Sequence, residues 1–100
     1  MARQIYESVP AVDQLPVFEP DGIDKHSGLT AGDFTVLVWQ NGVERTGFSV
    51  AINEIGDGEY KVAWTPDGTG FWLIEVSNAY NDEKWSGEYD VVKPVLLGIT

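Results

Sequence analysis

Residues 34–76 have the sequence FTVLVWQNGVERTGFSVAINEIGDGEYKVAWTPDGTGFWLIEV. Apolar and polar side chains alternate along most of this stretch, which is the period of half-buried β-strands. Glycine-bearing turns separate the runs, at residues 40–42, 56–58 and 67–70. Asn41-Gly42 is the strongest hairpin signal among them, because both residues tolerate the positive φ angles of a tight hairpin. The segment therefore predicts successive strands that fold into a two-layer β core.

The alternation also predicts which side chains of these strands point into the core. Three inward sets are expected, one from each of three strands: Phe48, Val50 and Ile52; Tyr60, Val62 and Trp64; and Trp72, Ile74 and Val76. The run Phe34 to Trp39 is apolar on both faces, which indicates a central strand or a covered outer face.

The flanking regions carry weaker signals. Residues 1–20 are predicted to form an N-terminal edge segment, since Pro10 and Pro16 lack the amide donor that a central strand needs. Residues 23–33 are predicted to be a crossover loop with one helical turn capped by Thr30 or Asp33. A polar loop is expected over residues 78–87, and a last strand from about Glu88 to Val92.

Together these signals predict one domain spanning residues 1–100. The predicted fold is all-β, an immunoglobulin-like antiparallel β-sandwich of about seven strands. A chain of 100 residues is long enough for one core and too short for a second. Aromatic residues make up 12% of the chain and there is no cysteine, so the core is predicted to depend on packing rather than on disulfides. The absence of cysteine is typical of a cytosolic origin.

Charge excludes several classes of function. Sixteen acidic residues against six basic ones give a net charge of −10, which repels nucleic-acid phosphates and anionic lipids. We therefore predict neither a nucleic-acid nor a membrane partner. No basic segment followed by an apolar run occurs at the N-terminus, so no signal peptide is expected.

The residues also resemble a known family of domains. The succession is similar to immunoglobulin-like domains in structural proteins of tailed bacteriophages, including baseplate, tail and other surface-exposed virion components. The resemblance covers about Gly28 to Val76, and it is carried by these segments: SGLT (27–30), DFTV (33–36), NGV (41–43), EIGDGEY (54–60), WTP (64–66) and GFWLIEV (70–76).

The resemblance implies a non-enzymatic structural accessory protein, either a capsid decoration protein or a tail or baseplate component. Because the chain opens with Met1 and has 100 residues, a free-standing accessory protein is the expectation. The implied partners are other virion proteins, or further copies of this chain. The implied location is the virion, after synthesis in the cytoplasm of the bacterial host. The alternative is a carbohydrate-binding module for attachment to the host surface, with glycan as its ligand.

The candidate interface residues are aromatic or belong to the apolar C-terminal segment. Trp39 lies beside a turn, and Tyr80 and Trp85 fall in the predicted polar loop, where each either covers a sheet end or meets a partner. An exposed aromatic ring also stacks on sugars, so the same three residues are the candidate platform for glycan. Residues 93–100 are a candidate docking tail, in which the interface candidates are Val95, Leu96, Leu97 and Ile99. This tail either extends the last strand over its own sheet or adds to the edge of a neighbour.

No group of residues has the spacing of a catalytic or cofactor site. The single histidine, His26, and the absence of cysteine leave no ligand set for structural zinc. Calcium is the one cofactor with candidate ligands, at Asp21 with Asp24 and at Asp82 with Glu83, but the loop pattern of a calcium site is absent. We therefore predict no cofactor and no enzymatic activity.

Overall fold

The computed structural model describes residues 2–94, and these fold into eight strands with one short 3₁₀ turn at Ala31–Asp33. The strands are β1 (Arg3–Tyr6), β2 (Ala11–Pro16), β3 (Phe34–Gln40), β4 (Val43–Glu44), β5 (Ala51–Gly56), β6 (Glu59–Trp64), β7 (Gly70–Asn78) and β8 (Lys84–Val92). Residues 2–94 include no helix that could span a lipid bilayer.

The strands form two sheets, which confirms the predicted all-β sandwich. One sheet has five strands in the order β1-β8-β7-β3-β4, and the other has three in the order β2-β6-β5. The count is eight rather than about seven, with β4 contributing only two residues. Every described pairing is antiparallel except that of β1 with β8, which is parallel. Alternation does not reveal this exception, because the two strands are distant in sequence and no hairpin turn fixes their relative direction.

The core lies between the sheets and contains the inward sets of β6 and β7 that alternation predicts. Tyr60, Trp72 and Ile74 are each 0% exposed. Trp64 packs against Trp72 with ring centroids 5.1 Å apart, and against Tyr89 of β8 at the same distance. Burying side chains of this size stabilises the folded state by about 1.5–3 kcal/mol each, so these rings supply much of the stability of a domain without disulfides.

The segment before β3 is tied to the three-stranded sheet through one tyrosine. The Tyr60 hydroxyl donates to the carbonyl oxygen of His26 at 2.8 Å and accepts from the amide of Leu29 at 3.1 Å. Leu29 packs against the core, and the predicted helical turn is present with Thr30 and Asp33 as a reciprocal capping box. The loop is therefore positioned by specific contacts rather than by chain length alone.

One glycine permits the close approach of this segment to the β5–β6 turn. Gly58 has a φ angle of 80°, and a methyl group built there would lie 2.5 Å from the Cβ atom of Lys25. Both the backbone angle and the space at this position therefore require glycine.

The predicted loop over residues 78–87 is wrong in its second half. Strand β8 begins at Lys84, and its ladder with β7 starts at the pair Ser77 and Lys84. Residues 84–88 alternate between polar positions that face outward and the inward positions of Trp85 and Gly87. The sequence does not indicate a strand here, because Lys84, Ser86 and Glu88 are polar and Gly87 has no side chain. Trp85 is then the single large apolar residue of the five.

Candidate interaction surfaces

The outer face of the five-stranded sheet carries an apolar cluster. It consists of residues from β3 and β7 that alternate with buried neighbours: Leu37, Trp39, Phe71 and Leu73. We call these four residues the outer apolar patch. Trp39 lies directly opposite Leu73 in the ladder, and Phe71 is 40% exposed. Around Trp39, Gly42, Phe71 and Leu73 there is a shallow depression of about 250 Å³.

The patch is held in shape by the turn that follows β3. Asn41 has a φ angle of 51° and Gly42 one of 81°, as the predicted hairpin requires. The backbone amide of Asn41 donates to the carbonyl oxygen of Phe71 at 2.7 Å. The side-chain oxygen of Asn41 accepts from the backbone amide of Phe71 at 2.9 Å. These two bonds connect the β3–β4 turn to the backbone of β7 at Phe71, beside Trp39.

Tyr80 belongs to a separate cluster with His26 and Glu19. The rings of His26 and Tyr80 stack with centroids 3.7 Å apart and planes 9° from parallel. Glu19 receives a hydrogen bond from the Tyr80 hydroxyl and lies 3.2 Å from His26 Nδ1. Tyr80 is 41% exposed, so one face of this stack is open to solvent.

The hydrogen bonds of this cluster change the acidity of its members. The Tyr80 hydroxyl, and to a smaller extent His26, lower the pKa of Glu19 below its usual value. The same bond to the Glu19 carboxylate raises the pKa of Tyr80. Charge on Glu19 is therefore favoured by the folded state.

Replacing Tyr80 with phenylalanine should raise the pKa of Glu19 toward its ordinary value. A lowered folded-state pKa contributes stability above the unfolded pKa, and this contribution is lost as the pH falls through the folded pKa. The stability difference between the wild type and Tyr80→Phe should therefore shrink on acidification. Carboxyl-carbon NMR titration of Glu19 measures the shift, with Tyr6→Phe as a matched control because Tyr6 is also 41% exposed. An unchanged Glu19 pKa in Tyr80→Phe would contradict the assignment.

The prediction that Trp85 lies in a polar loop is wrong. It is on β8 opposite Val76, with its side chain half-buried against the core. Trp85 forms one wall of a cleft of about 200 Å³ whose other walls include Leu15, Phe34 and Asn78. The cleft lies between the end of β7, the start of β8 and strand β2 of the three-stranded sheet.

The three candidate aromatics are not brought together. Trp39 is on the outer face at the β3–β4 turn, while Trp85 points inward near the opposite end of the sheet. Tyr80 follows β7 and is near the same end as Trp85, but it stacks on His26. The other candidates, Val95, Leu96, Leu97 and Ile99, lie outside the described residues. Phe71 and Leu73 join Trp39 instead, and sequence reasoning did not identify them because strand order decides which outer residues are neighbours.

One of the two candidate ligand pairs for calcium, Asp21 with Asp24, uses a carboxylate for local hydrogen bonds. Asp21 Oδ1 accepts from the amides of Ile23 at 2.8 Å and Asp24 at 3.0 Å, and these bonds lower the pKa of Asp21. In the part of the chain from residue 2 to 94, no three or more histidine, aspartate or glutamate side chains are grouped to hold a metal ion.

Solved structures share this fold. The Lin-41 filamin domain matches with a TM-score of 0.66 and 13% identity, over 92% of this chain and 85% of that one. The fold is immunoglobulin-like. A putative glycoside hydrolase from Bacteroides vulgatus matches with a TM-score of 0.62 and 11% identity, over 93% of this chain but 17% of that one. At these identities the likeness concerns the fold alone.

No protein-family model matches the chain, and no curated protein matches it either.

Proposed function

We propose that this protein is a non-enzymatic structural accessory protein of a bacteriophage virion. In this proposal it decorates the capsid or belongs to the tail or baseplate, and it acts by binding other virion proteins. The virion is its site of action, and the host cytoplasm is where it is made. A protein that binds only the assembled state stabilises that assembly by mass action.

The outer apolar patch is the observation that carries the proposal. Phe71 is 40% exposed on a sheet face, next to Trp39 and Leu73. Leu37, Trp39 and Leu73 are partly exposed beside it. A contiguous apolar surface that is open to water on a sheet face is typical of a protein-binding site, because leaving it in water is unfavourable. The resemblance of residues 28–76 to phage immunoglobulin-like domains supports the virion as the setting, and the fold is the one that this resemblance implies.

The carbohydrate-binding alternative has less support from the geometry. A stacking platform for glycan requires aromatic rings on one surface, and Trp39, Tyr80 and Trp85 occupy three different places. Trp39 with Phe71 is the pair that a sugar ring would meet on the outer face. A glycan array that binds the wild type and loses binding with Trp39→Ala would favour this alternative.

Co-purification with particles tests the virion proposal. Particles from the phage or lysogen that encodes this chain should carry it through a density gradient, at a fixed ratio to a capsid or tail protein. Particles that lack the protein should rebind the purified wild type, and they should rebind Leu73→Ser weakly. Val12→Ser is the matched control, since Val12 is 50% exposed and lies on the three-stranded sheet. Absence of the chain from purified particles, together with a strictly monomeric protein in solution, would overturn the proposal.

A further inference from the structure

The outer apolar patch is surrounded by acidic residues. Each of its four members faces a carboxylate on a neighbouring strand, directly across the ladder. The pairs are Trp39 with Glu44, Leu37 with Glu75, Leu73 with Glu88, and Phe71 with Asp90. Partners that face each other in this way have Cβ atoms about 4.5–5.5 Å apart and lie on the same face of the sheet. We call Glu44, Glu75, Glu88 and Asp90 the acidic rim.

Little positive charge compensates the acidic rim. Among the strand positions that face outward on this sheet within residues 2–94, Lys84 is the single base, and its Nζ atom is 3.7 Å from Glu75. Arg3, Lys25 and Arg45 pair with Asp13, Glu59 and Asp67, none of which is a rim residue. Lys61 lies on β6 of the other sheet, and Lys93 follows the end of β8. The rim therefore creates a negative potential around an apolar centre.

This arrangement is similar to the anatomy of protein interfaces, in which a polar, solvent-accessible rim encloses an apolar centre. The rim charges select partners of opposite sign and raise the rate of encounter. They also repel a second copy of a chain whose net charge is −10, because a symmetric dimer would place rim against rim. The C-terminal segment 95–100 is apolar and uncharged, so it would leave the rim without a partner.

We propose that the outer apolar patch and the acidic rim together bind a partner protein through a segment whose apolar side chains are flanked by lysine or arginine. The depression at Trp39, Gly42, Phe71 and Leu73 receives the apolar side chains, and the rim pairs with the flanking bases. This inference rests on the proposal that the protein acts through protein contacts. It does not depend on which particle supplies the partner.

Four labelled synthetic peptides of about six residues, the length of an average strand, test the partner chemistry. One has leucine and phenylalanine flanked by lysine, one has the same centre flanked by glutamate, one has it flanked by serine, and one has a serine centre flanked by lysine. Fluorescence anisotropy should show the lysine-flanked apolar peptide binding at least about tenfold more tightly than the others, a difference of about 1.4 kcal/mol. Raising the salt from about 0.1 M to about 1 M should weaken it, since the screening length falls from about 10 Å to about 3 Å.

Variants assign the binding to this face. The double variant Phe71→Ser with Leu73→Ser should lose binding at least about tenfold. The double variant Glu88→Lys with Asp90→Lys changes exposed positions only, and it should lose binding most strongly at low salt. Val12→Ser, on the other sheet, should bind as the wild type does. Thermal melting of each variant confirms that it is folded.

Several results would overturn the inference. Equal binding of the lysine-flanked serine peptide would show that net charge alone attracts the probe. Binding that survives both double variants would place the site elsewhere. If the wild type self-associates and the double variant Phe71→Ser with Leu73→Ser does not, the patch binds a second copy of this chain. If the wild type binds glycan and this double variant does not, the patch binds a sugar. If the protein binds the peptide but does not co-purify with particles, the virion role is wrong and the docking surface stands. If the protein co-purifies with particles but does not bind the peptide, only the partner chemistry proposed here is wrong.

Discussion

Replacing Trp72 with alanine should lower the free energy of unfolding by about 3–5 kcal/mol. Trp72 is 0% exposed, and its ring contacts those of Trp64 and Phe48 at centroid distances of 5.1 Å. Its indole Nε1 also donates to the carbonyl oxygen of Gly68 at 3.0 Å. The substitution therefore opens a cavity between the sheets and leaves this carbonyl without its donor. Urea unfolding followed by far-ultraviolet circular dichroism measures the loss.

Trp39→Ala is the matched control for this prediction. Trp39 is also a tryptophan of the five-stranded sheet, on the neighbouring strand, but it points to the outer face and is only half-buried. Its loss should cost about 1–2 kcal/mol, because less apolar surface leaves the protein interior. Equal destabilisation by the two substitutions would contradict the assignment of Trp72 to the core and of Trp39 to the surface.

Gly58→Ala should have the second largest effect on stability, with a loss of about 2–5 kcal/mol. A φ angle of 80° costs an L-residue about 1–2 kcal/mol, and the new methyl group would lie 2.5 Å from Lys25 Cβ and 2.9 Å from the His26 amide nitrogen. Crowding of this kind typically adds about 1–3 kcal/mol. The 25–26 segment would have to move away from the β5–β6 turn.

Gly42→Ala separates the two contributions. Gly42 has a φ angle of 81°, but a methyl group there would have no neighbour within 4 Å. Its cost should therefore be the backbone cost alone, about 1–2 kcal/mol. The measured excess of Gly58→Ala over Gly42→Ala reports the close contact with Lys25, and the absence of any excess would show that the two segments are not packed together.

Local pattern was sufficient to predict the sandwich and about half of its buried apolar residues, although Phe48 and Val50, which were also expected to point inward, are only partly buried. In β6 and β7 the apolar side chains recur at every second residue, so Tyr60, Val62 and Trp64, and likewise Trp72, Ile74 and Val76, could be assigned to the interior. The turn at Asn41-Gly42 was predictable for a related reason, since few residue pairs adopt its backbone angles. These features depend on sequence neighbours alone.

The features that position the outer apolar patch depend on strand order, which local pattern does not encode. Phe71 and Leu73 become neighbours of Trp39 only because β7 pairs with β3, and the acidic rim forms only because β8 lies beside β7. The start of β8 was missed because Lys84 and Ser86 are polar and Gly87 has no side chain, so the inward Trp85 stood alone as a signal. The parallel pairing of β1 with β8 could not be predicted from a turn, because no hairpin connects the two strands.

A density map of the assembled particle, with this chain placed in it, tests the proposed docking surface most directly. We expect the outer apolar patch to be buried against another virion protein, with lysine or arginine side chains of that protein opposite Glu88 and Asp90. A map in which the chain is bound while this face of the five-stranded sheet remains in solvent would contradict it.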